Sequence, residues 1–328
     1  MRSLRTVDLD VHVVLDPVRL AASVPQAAGI LARVRPAAIF TTGGYVAVPV
    51  LLAAAPLRIP VVLWDGNVIP GRAVRLTARL ADVVAVSFPA TCAALAGATG
   101  DRPCYMTGTP IRDTSAIDRE AARVSLDVPA GERVLLVFGG SQAVRRFNAA
   151  VAGALPRLVE RVTVIHVAGN EGYAAALAGR EALPADRRQR YRPYPFLRDE
   201  MLPALAAADL VVGRAGSSTL AEAAAFGLPM VVVPYPHAAG HQSANARELV
   251  GAGAARLIED DAFDADALLD AARLLEDPDA HLRMSAAARG QGRPGAAAAV
   301  ADLVLAAAEG RPLPDAAAIE RRSRGGPA

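Results

Sequence analysis

The stretch from Ala208 to Ala246 constrains the fold of this chain more than any other. The apolar run Asp209–Val212 predicts a buried parallel strand, and a glycine-containing loop follows it directly. A short helix is predicted after the loop, and it ends at Gly227, before a second apolar run at Met230–Val233. The pattern therefore predicts a strand–loop–helix–strand unit in which the loop meets a helix N-terminus.

The predicted loop has the chemistry of an anion-binding site. A helix N-terminus offers free backbone N–H groups and the positive end of the helix dipole. Gly213 and Gly216 allow a ligand to approach the backbone closely, Arg214 adds a cation, and Ser217 lies in the same predicted loop, before the expected start of the helix. We therefore expect Arg214 and Ser217 to take part in binding a phosphorylated ligand.

Three polar residues beyond the loop suit a sugar nucleotide. Glu222 could accept two hydrogen bonds from a ribose diol, or it could only complete a capping box with Thr219; the spacing fits both. Gln242 and Asn245 lie three residues apart, which places them on one helix face. Adjacent amides suit sugar hydroxyls, although an ordinary polar helix start explains them equally well.

Taken together, these residues resemble the donor site of the MurG-type N-acetylglucosaminyltransferases of peptidoglycan synthesis. The resemblance extends over about residues 30–310 and is far more specific than any single glycine motif. The residues that carry it are, in order, Arg214, Gly216, Thr219, Glu222, Gly227-Leu228-Pro229, Pro234, Gln242, Asn245 and Gly251-Ala252-Gly253-Ala254.

The resemblance implies further donor contacts outside this stretch. Arg112, in a Gly-x-Pro-x-Arg segment, is expected to pair with the diphosphate, although an interdomain salt bridge would also explain it. Ser141 follows Gly139-Gly140 and is expected to donate to a phosphate. Leu197 is expected at the uracil ring, Glu222 at the ribose, and Gln242 with Asn245 at the sugar.

For the acceptor, the resemblance implies two loops near the N-terminus. Gly43, Gly44 and Tyr45 follow a short predicted strand, at the sheet edge where ligands bind in open α/β folds. Asp65 and Asn67 stand where family members usually carry His-Glu-Gln-Asn, so Asp65 is the candidate catalytic base. The simpler explanations are a tight turn at Gly43-Gly44 and a turn-forming Asp-Gly at Asp65.

Alternating strands and helices predict an α/β protein with two Rossmann-like, doubly wound domains that face a cleft, an architecture called GT-B. We expect an acceptor- and membrane-facing domain over residues 1–112 and a domain that binds the UDP-sugar over residues 113–295. A terminal helix at residues 296–310 is expected to cross back, and residues 311–328 to form a loose tail. The family's N-terminal strand and Gly-x-Gly-Gly-His loop are not found in the sequence, which predicts an incomplete first domain.

The net charge and the number of cysteines indicate which binding partners and which cellular compartment suit this chain. The net charge of +2 implies no general polyanion binding, and hence no nucleic acid partner. Two cysteines are too few for a disulfide framework or a metal cage, which favours a reducing cytosol. Arg72, Arg75 and Arg79 share one predicted helix face, which is either an ordinary solvated surface or a contact with anionic lipid headgroups.

The sequence thus predicts an inverting transferase that moves N-acetylglucosamine from UDP-N-acetylglucosamine to a lipid-linked muramoyl-pentapeptide. It would act as a peripheral protein at the cytoplasmic face of the cell membrane, with no metal and no cofactor. The alternatives are another two-domain transferase that uses a UDP- or TDP-sugar, and a UDP-sugar-binding protein without catalytic activity.

Overall fold

The computed structural model describes residues 12–140, 144–236 and 240–326. It divides into two compact units. The first unit contains residues 12–108 and Ala298–Arg322, and the second contains Thr109–Ala297 and residues 323–326. Each unit is built on its own parallel β-sheet, which confirms the predicted α/β class.

The first unit contains a four-stranded parallel sheet in the order β1-β2-β3-β4. Its strands are nearly continuous runs of β-branched and other apolar residues, as is typical of strands covered on both faces. The strands are β1 (Ile39–Thr41), β2 (Val61–Asp65), β3 (Val83–Val86) and β4 (Cys104–Met106). The helices that precede or connect them are α1 (His12–Val34), α2 (Ala47–Ala54), α3 (Arg72–Ala78) and α4 (Pro89–Thr99), with a 3₁₀ turn at Ala55–Leu57.

The end of the chain packs onto the first unit. From Ala298 onward, helix α13 (Ala296–Ala308) belongs to this unit, and a further helix, α14 (Ala316–Ser323), follows it. Ile319 of α14 is buried in the same apolar cluster as Val62 of β2, and the Tyr105 hydroxyl donates to the Pro314 carbonyl at 3.0 Å. The prediction of a loose tail over residues 311–328 is therefore wrong for α14, because Ile319 anchors this helix in the core.

Helix α4 and strand β4 carry the two cysteines, and the structure joins them in a disulfide. The Cα atoms of Cys92 and Cys104 lie 5.9 Å apart, which is within the normal range for a disulfide bond. The cysteine count favours a reducing cytosol, and this disulfide does not agree with that expectation. The count could not reveal that α4 lies beside β4 and brings the two side chains together.

The second unit contains a six-stranded parallel sheet in the order β10-β9-β8-β5-β6-β7. Its strands are β5 (Val134–Phe138), β6 (Thr163–Val167), β7 (Tyr191–Tyr194), β8 (Leu210–Gly213), β9 (Met230–Val232) and β10 (Ala255–Leu257). Its helices are α5 (Arg119–Ser125), α6 (Val144–Leu158), α7 (Gly169–Ala182), α8 (Met201–Ala207), α9 (Ser217–Ala225), α10 (His241–Gly251), α11 (Ala265–Ala272) and α12 (Pro278–Gln291). Short 3₁₀ helices lie at Arg188–Arg190, Asp260–Ala262 and Arg273–Glu276.

Strand order in this sheet reverses between β5 and β8. From β5 the chain proceeds outward through β6 and β7, and then returns to build β8, β9 and β10 on the other side. At such a switch point the loops after two neighbouring strands diverge and leave a crevice at the carboxyl edge of the sheet. The fold therefore predicts a ligand site between the loop after β5 and the loop after β8.

A buried polar group makes the stability of the second unit dependent on pH. His166 of β6 is 1% exposed, and its ring nitrogens lie 2.8 Å from the Tyr191 hydroxyl and 3.1 Å from Asn148 Oδ1. Burial lowers the pKa of His166 to about 4. Between the unfolded-state pKa of about 6.5 and the folded-state value, only the unfolded chain binds the proton, so stability falls as the pH falls.

We expect the free energy of unfolding to drop by about 1.5 kcal/mol between pH 6.5 and pH 5 through His166 alone. Replacing His166 with Gln keeps a hydrogen-bonding side chain but removes the titration. Urea unfolding at the two pH values should therefore show a steeper loss for the native chain than for His166→Gln. An equal loss in both proteins would contradict this assignment.

Candidate functional site

Two loops lie side by side at the switch point of the second unit. Phe138, the last residue of β5, pairs in register with Gly213, the last residue of β8. A Cβ atom at Gly213 would lie 3.3 Å from the Phe138 carbonyl oxygen, so glycine suits this close approach of the two strands. Gly139-Gly140 and the segment from Arg214 to Gly216 therefore begin at adjacent points on the sheet edge.

The loop after β8 leads into the N-terminus of α9. Helix α9 begins at Ser217, with Gly216 at the N-cap position, where no side chain can cap the helix. Thr219 lies inside the helix, so the capping-box explanation of Glu222 is wrong. The backbone N–H groups of the first turn have no carbonyl partner within the helix, so this geometry is compatible with the anion site that the sequence predicts, with Ser217 at the first helical position.

The described residues after β5 are Gly139 and Gly140. Gly140 has a φ of +67°, a left-handed conformation that favours glycine, and α6 begins four residues later at Val144. Ser141, the residue predicted to donate to a phosphate, lies outside the described residues. A second helix, α6, therefore begins close after the end of β5.

Two residues with separately predicted roles meet in the second unit. Arg112 Nη2 lies 3.3 Å from Glu222 Oε1, and Arg112 Nη1 donates to the Arg198 carbonyl at 3.0 Å. The Arg112 side chain is 46% exposed and that of Glu222 is 16% exposed, so the guanidinium remains accessible to a ligand. The alternative role of Arg112 as an interdomain salt bridge is not what the structure shows, because both partners belong to the same unit.

The predicted uracil-binding segment follows β7. The Leu197 side chain is 3% exposed, whereas the neighbouring Phe196 ring is 65% exposed and lies 5.9 Å from the Arg198 guanidinium. A ligand at this segment would therefore meet the Phe196 ring and the backbone of Leu197 rather than the Leu197 side chain.

The structure gives Arg214 a different position from the one predicted. Its side chain is buried, and Nη1 donates to the carbonyls of Val233 and Pro234 and to Asp260 Oδ1 at 3.0, 3.3 and 2.6 Å. The guanidinium carbon lies 4.9 Å from the Phe147 ring centroid. The role of Arg214 in phosphate binding stays a prediction, and in this structure its Nη1 atom is directed to protein groups.

Gln242 and Asn245, the two amide side chains predicted to contact the sugar, differ in burial and in their hydrogen-bond partners. Gln242 Oε1 accepts a hydrogen bond of 2.9 Å from the backbone N–H of Tyr235. Asn245 is fully buried and donates to the Ala215 carbonyl at 3.4 Å, so it holds the loop after β8 in place. Gln242 is half-buried and remains a candidate for sugar contact, whereas Asn245 in this conformation is a structural residue.

In the first unit, the predicted acceptor loops lie at the carboxyl ends of β1 and β2. Gly43 has a φ of +75°, and a Cβ atom there would lie 3.0 Å from side-chain atoms of Leu63 and Val74, so the position requires glycine. A groove of about 350 Å³ borders this loop, with Gly44 and Val46 in its lining. The Tyr45 side chain is 37% exposed and is therefore available to a ligand.

Asp65 ends β2, and its side chain is 3% exposed. Asp65 Oδ1 accepts a hydrogen bond of 3.3 Å from the backbone N–H of Asn67, as in an Asx turn. This geometry matches the turn-forming explanation. A role of Asp65 as a base would require its carboxylate to become accessible from this buried position.

Within residues 12–140, 144–236 and 240–326, no group of three or more His, Cys, Asp or Glu side chains could hold a metal ion. In the same part of the chain, no helix is both long enough and apolar enough to cross a membrane.

Comparison with known families decides the assignment. Residues 8–86 match the glycosyltransferase family 28 N-terminal domain, and residues 134–300 match the glycosyltransferase family 28 C-terminal domain. The chain belongs to glycosyltransferase family 28. The predicted family and enzyme class are thereby confirmed.

Individual relatives agree with this membership. The UDP-N-acetylglucosamine–N-acetylmuramyl-(pentapeptide) pyrophosphoryl-undecaprenol N-acetylglucosamine transferase of Frankia casuarinae is 39% identical over 94% of this chain and 78% of its own length. The protein of the same name from Rhodospirillum centenum is 40% identical over 88% of this chain and 77% of its own length. The crystal structure of Acinetobacter baumannii MurG superposes with a TM-score of 0.70 at 27% identity, over 88% of this chain and 79% of that one.

Sequence reasoning missed Asp260, which the structure places beside the loop after β8. Asp260 Oδ1 accepts from Arg214, and Asp260 Oδ2 lies 3.2 Å from Arg146 Nε of α6. In the sequence Asp260 is one of four aspartates between residues 260 and 266, and no local pattern distinguishes it from the others. The only available signal was that a buried arginine needs a carboxylate partner, and the sequence did not reveal that Arg214 is buried.

Proposed function

We propose that this chain transfers N-acetylglucosamine from UDP-N-acetylglucosamine to a lipid-linked N-acetylmuramoyl-pentapeptide, with inversion at the anomeric carbon. The observation that carries this proposal is the convergence of Arg112, Glu222 and the N-terminus of α9 in the second unit. These groups supply a cation, a diol acceptor and an anion site, which are the three functions that a nucleoside diphosphate requires.

The arrangement supports a specific placement of the donor. The diphosphate would lie at the N-termini of α9 and α6, with Arg112 turning from Glu222 toward the phosphate oxygens. Release of Glu222 from this ion pair would leave its carboxylate free to accept hydrogen bonds from the ribose diol. The Phe196 ring and the Leu197 backbone would contact the uracil.

The chemistry requires stabilisation of the leaving group and a base. The acceptor hydroxyl oxygen forms a bond to the anomeric carbon, the bond from that carbon to the diphosphate oxygen breaks, and a base takes the hydroxyl proton. Arg112 and the helix N–H groups would stabilise the charge that develops on the departing UDP. The loops at Gly43, Gly44, Tyr45 and Asn67 would hold the acceptor.

The burial of Asp65 favours one alternative, a UDP-sugar-binding protein without catalytic activity, because the base is the role that the structure fills least well. Transfer of radiolabelled N-acetylglucosamine to the lipid-linked acceptor separates the two candidates. We expect labelled lipid product with UDP-N-acetylglucosamine and much less with a TDP-sugar. Binding of UDP-N-acetylglucosamine without any transfer would support the alternative.

We also propose that the first unit contacts an anionic membrane at the cytoplasmic face. Arg72, Arg75 and Arg79 are exposed on and next to α3, and two apolar side chains in the same segment, Ile69 and Leu76, are 45% and 40% exposed. Exposed apolar side chains between arginines suit a surface of anionic headgroups, where each basic residue contributes about 1 kcal/mol.

Vesicle co-sedimentation tests this membrane contact. Changing Arg72, Arg75 and Arg79 to Gln should weaken binding to vesicles containing anionic lipid by about tenfold or more at low salt, and neutral vesicles should show little binding. The matched control changes Arg157, Arg161 and Arg273 to Gln, which removes the same charge from the second unit. Equal losses in the two triple variants would contradict a specific surface.

A further inference from the structure

We propose that Arg214 is a positioning residue that orients Gln242 toward the sugar of the donor, rather than a ligand of the diphosphate. This inference rests on the proposed function, because it assigns a role within the same donor site. The Arg214 side chain is buried, and its guanidinium donates to protein groups.

Arg214 holds the segment that follows β9. Its Nη1 atom donates to the carbonyls of Val233 and Pro234, and its guanidinium carbon lies 5.5 Å from the Tyr235 ring centroid. Three consecutive residues are thus fixed by one planar side chain. All of these hydrogen bonds come from Nη1, and the guanidinium also lies against the Tyr235 ring, a contact with an aromatic ring that a planar arginine makes and a compact, strongly hydrated ammonium does not reproduce.

The fixed segment in turn holds Gln242. The backbone N–H of Tyr235 donates to the Gln242 side chain at 2.9 Å. A backbone N–H can only donate, so the atom that faces it must be the amide oxygen of Gln242. The amide nitrogen is therefore the group that Gln242 can offer to a ligand, and it would donate to an oxygen acceptor on the sugar.

Asp260 connects this arrangement to the other side of the crevice. Its Oδ1 atom accepts a hydrogen bond of 2.6 Å from Arg214 Nη1, and its Oδ2 atom lies 3.2 Å from Arg146 Nε. Arg146 lies in the first turn of α6, the helix that follows Gly139-Gly140. One carboxylate thus links the helix after β5 to the loop after β8.

The two possible roles of Arg214 predict different ligand dependence. Isothermal titration should be run with UDP and with UDP-N-acetylglucosamine, which share the diphosphate and differ in the sugar. For Arg214→Met we expect the affinity for UDP-N-acetylglucosamine to fall about five- to tenfold, while the affinity for UDP changes by less than about twofold. Arg214→Lys should behave like Arg214→Met, because it keeps the charge but loses the planar group that lies against the Phe147 and Tyr235 rings.

A double-mutant cycle provides the second readout. If Arg214 acts through Gln242, then Arg214→Met combined with Gln242→Ala should lose no more than about twofold beyond Gln242→Ala alone. Asp260→Asn, which weakens the support of Arg214 while preserving its shape, should show the same selective loss. This variant keeps the test available if Arg214→Met does not fold.

Other outcomes would overturn the inference. Equal losses for UDP and UDP-N-acetylglucosamine in Arg214→Met, with recovery in Arg214→Lys, would make Arg214 a phosphate ligand. Additive losses in the double variant would separate Arg214 from Gln242. Failure of the native chain to bind either nucleotide would instead reject the proposed function, so the two failures are distinguishable.

Discussion

Replacing Arg112 with Met is expected to lower kcat/KM for transfer of N-acetylglucosamine by about 10²- to 10³-fold. The guanidinium is accessible and lies 3.3 Å from Glu222, the predicted ribose ligand. Because charge develops on the departing UDP, a cation aimed at the diphosphate stabilises the transition state more than the ground state. We therefore expect most of the loss in kcat and a smaller change in KM.

Steady-state kinetics with UDP-N-acetylglucosamine as the varied substrate check this prediction. Arg112→Lys should recover part of the activity, because lysine keeps the positive charge. The recovery should be incomplete, because an ammonium cannot make the bidentate contact of a guanidinium. The matched control is Arg187→Met, since Arg187 is also a partly exposed arginine, 2.8 Å from Glu160, and neither of these two residues is a predicted site residue. If Arg112→Met and Arg187→Met have similar activities, Arg112 does not act on the donor.

Replacing Asp209 with Ala is expected to lower the free energy of unfolding by about 3–5 kcal/mol. Asp209 is 6% exposed and lies 2.9, 3.2 and 3.6 Å from the guanidinium groups of Arg119, Arg133 and Arg123. Its Oδ2 atom also accepts from the backbone N–H of Val134, the first residue of β5, at 2.8 Å. Removing the carboxylate leaves the buried Arg123 and this N–H without their anionic partner, which costs more than the loss of an exposed ion pair.

Urea unfolding measures this effect. The matched control is Asp270→Ala, because Asp270 pairs with Arg256 at 2.8 Å but is 53% exposed. Exposed ion pairs contribute little, so we expect this control to change stability by less than about 1 kcal/mol. Similar losses in the two variants would show that burial of Asp209 does not determine its contribution.

The sequence predicted the architecture well, because its signals are local. Apolar runs such as Val134–Phe138 and Asp209–Val212, each followed by glycines, indicate parallel strands that end in ligand-binding loops. The structure contains a strand at each run, and strand pairing makes the two loops neighbours. The meeting of Arg112 with Glu222, 110 residues apart, could be expected only from the family resemblance.

The sequence could not determine which arginine meets solvent. Arg112 and Arg214 each lie within two residues of a proline or a glycine in predicted loops, and both suit a phosphate. Their environments differ because of Asp260, which lies 46 residues after Arg214 and reaches it only through the fold. The same limit applies to Asn245, whose burial against Ala215 depends on how α10 packs on the loop.

The most direct test of the central claim is a crystal structure of this chain with UDP-N-acetylglucosamine bound. We predict that the diphosphate lies at the N-terminus of α9 with Arg112 on its oxygens, the ribose diol on Glu222, and the uracil beside Phe196 and the Leu197 backbone. The Arg214 guanidinium should remain on Asp260. A nucleotide bound away from Glu222 and the start of α9, or a diphosphate held by Arg214, would contradict this account.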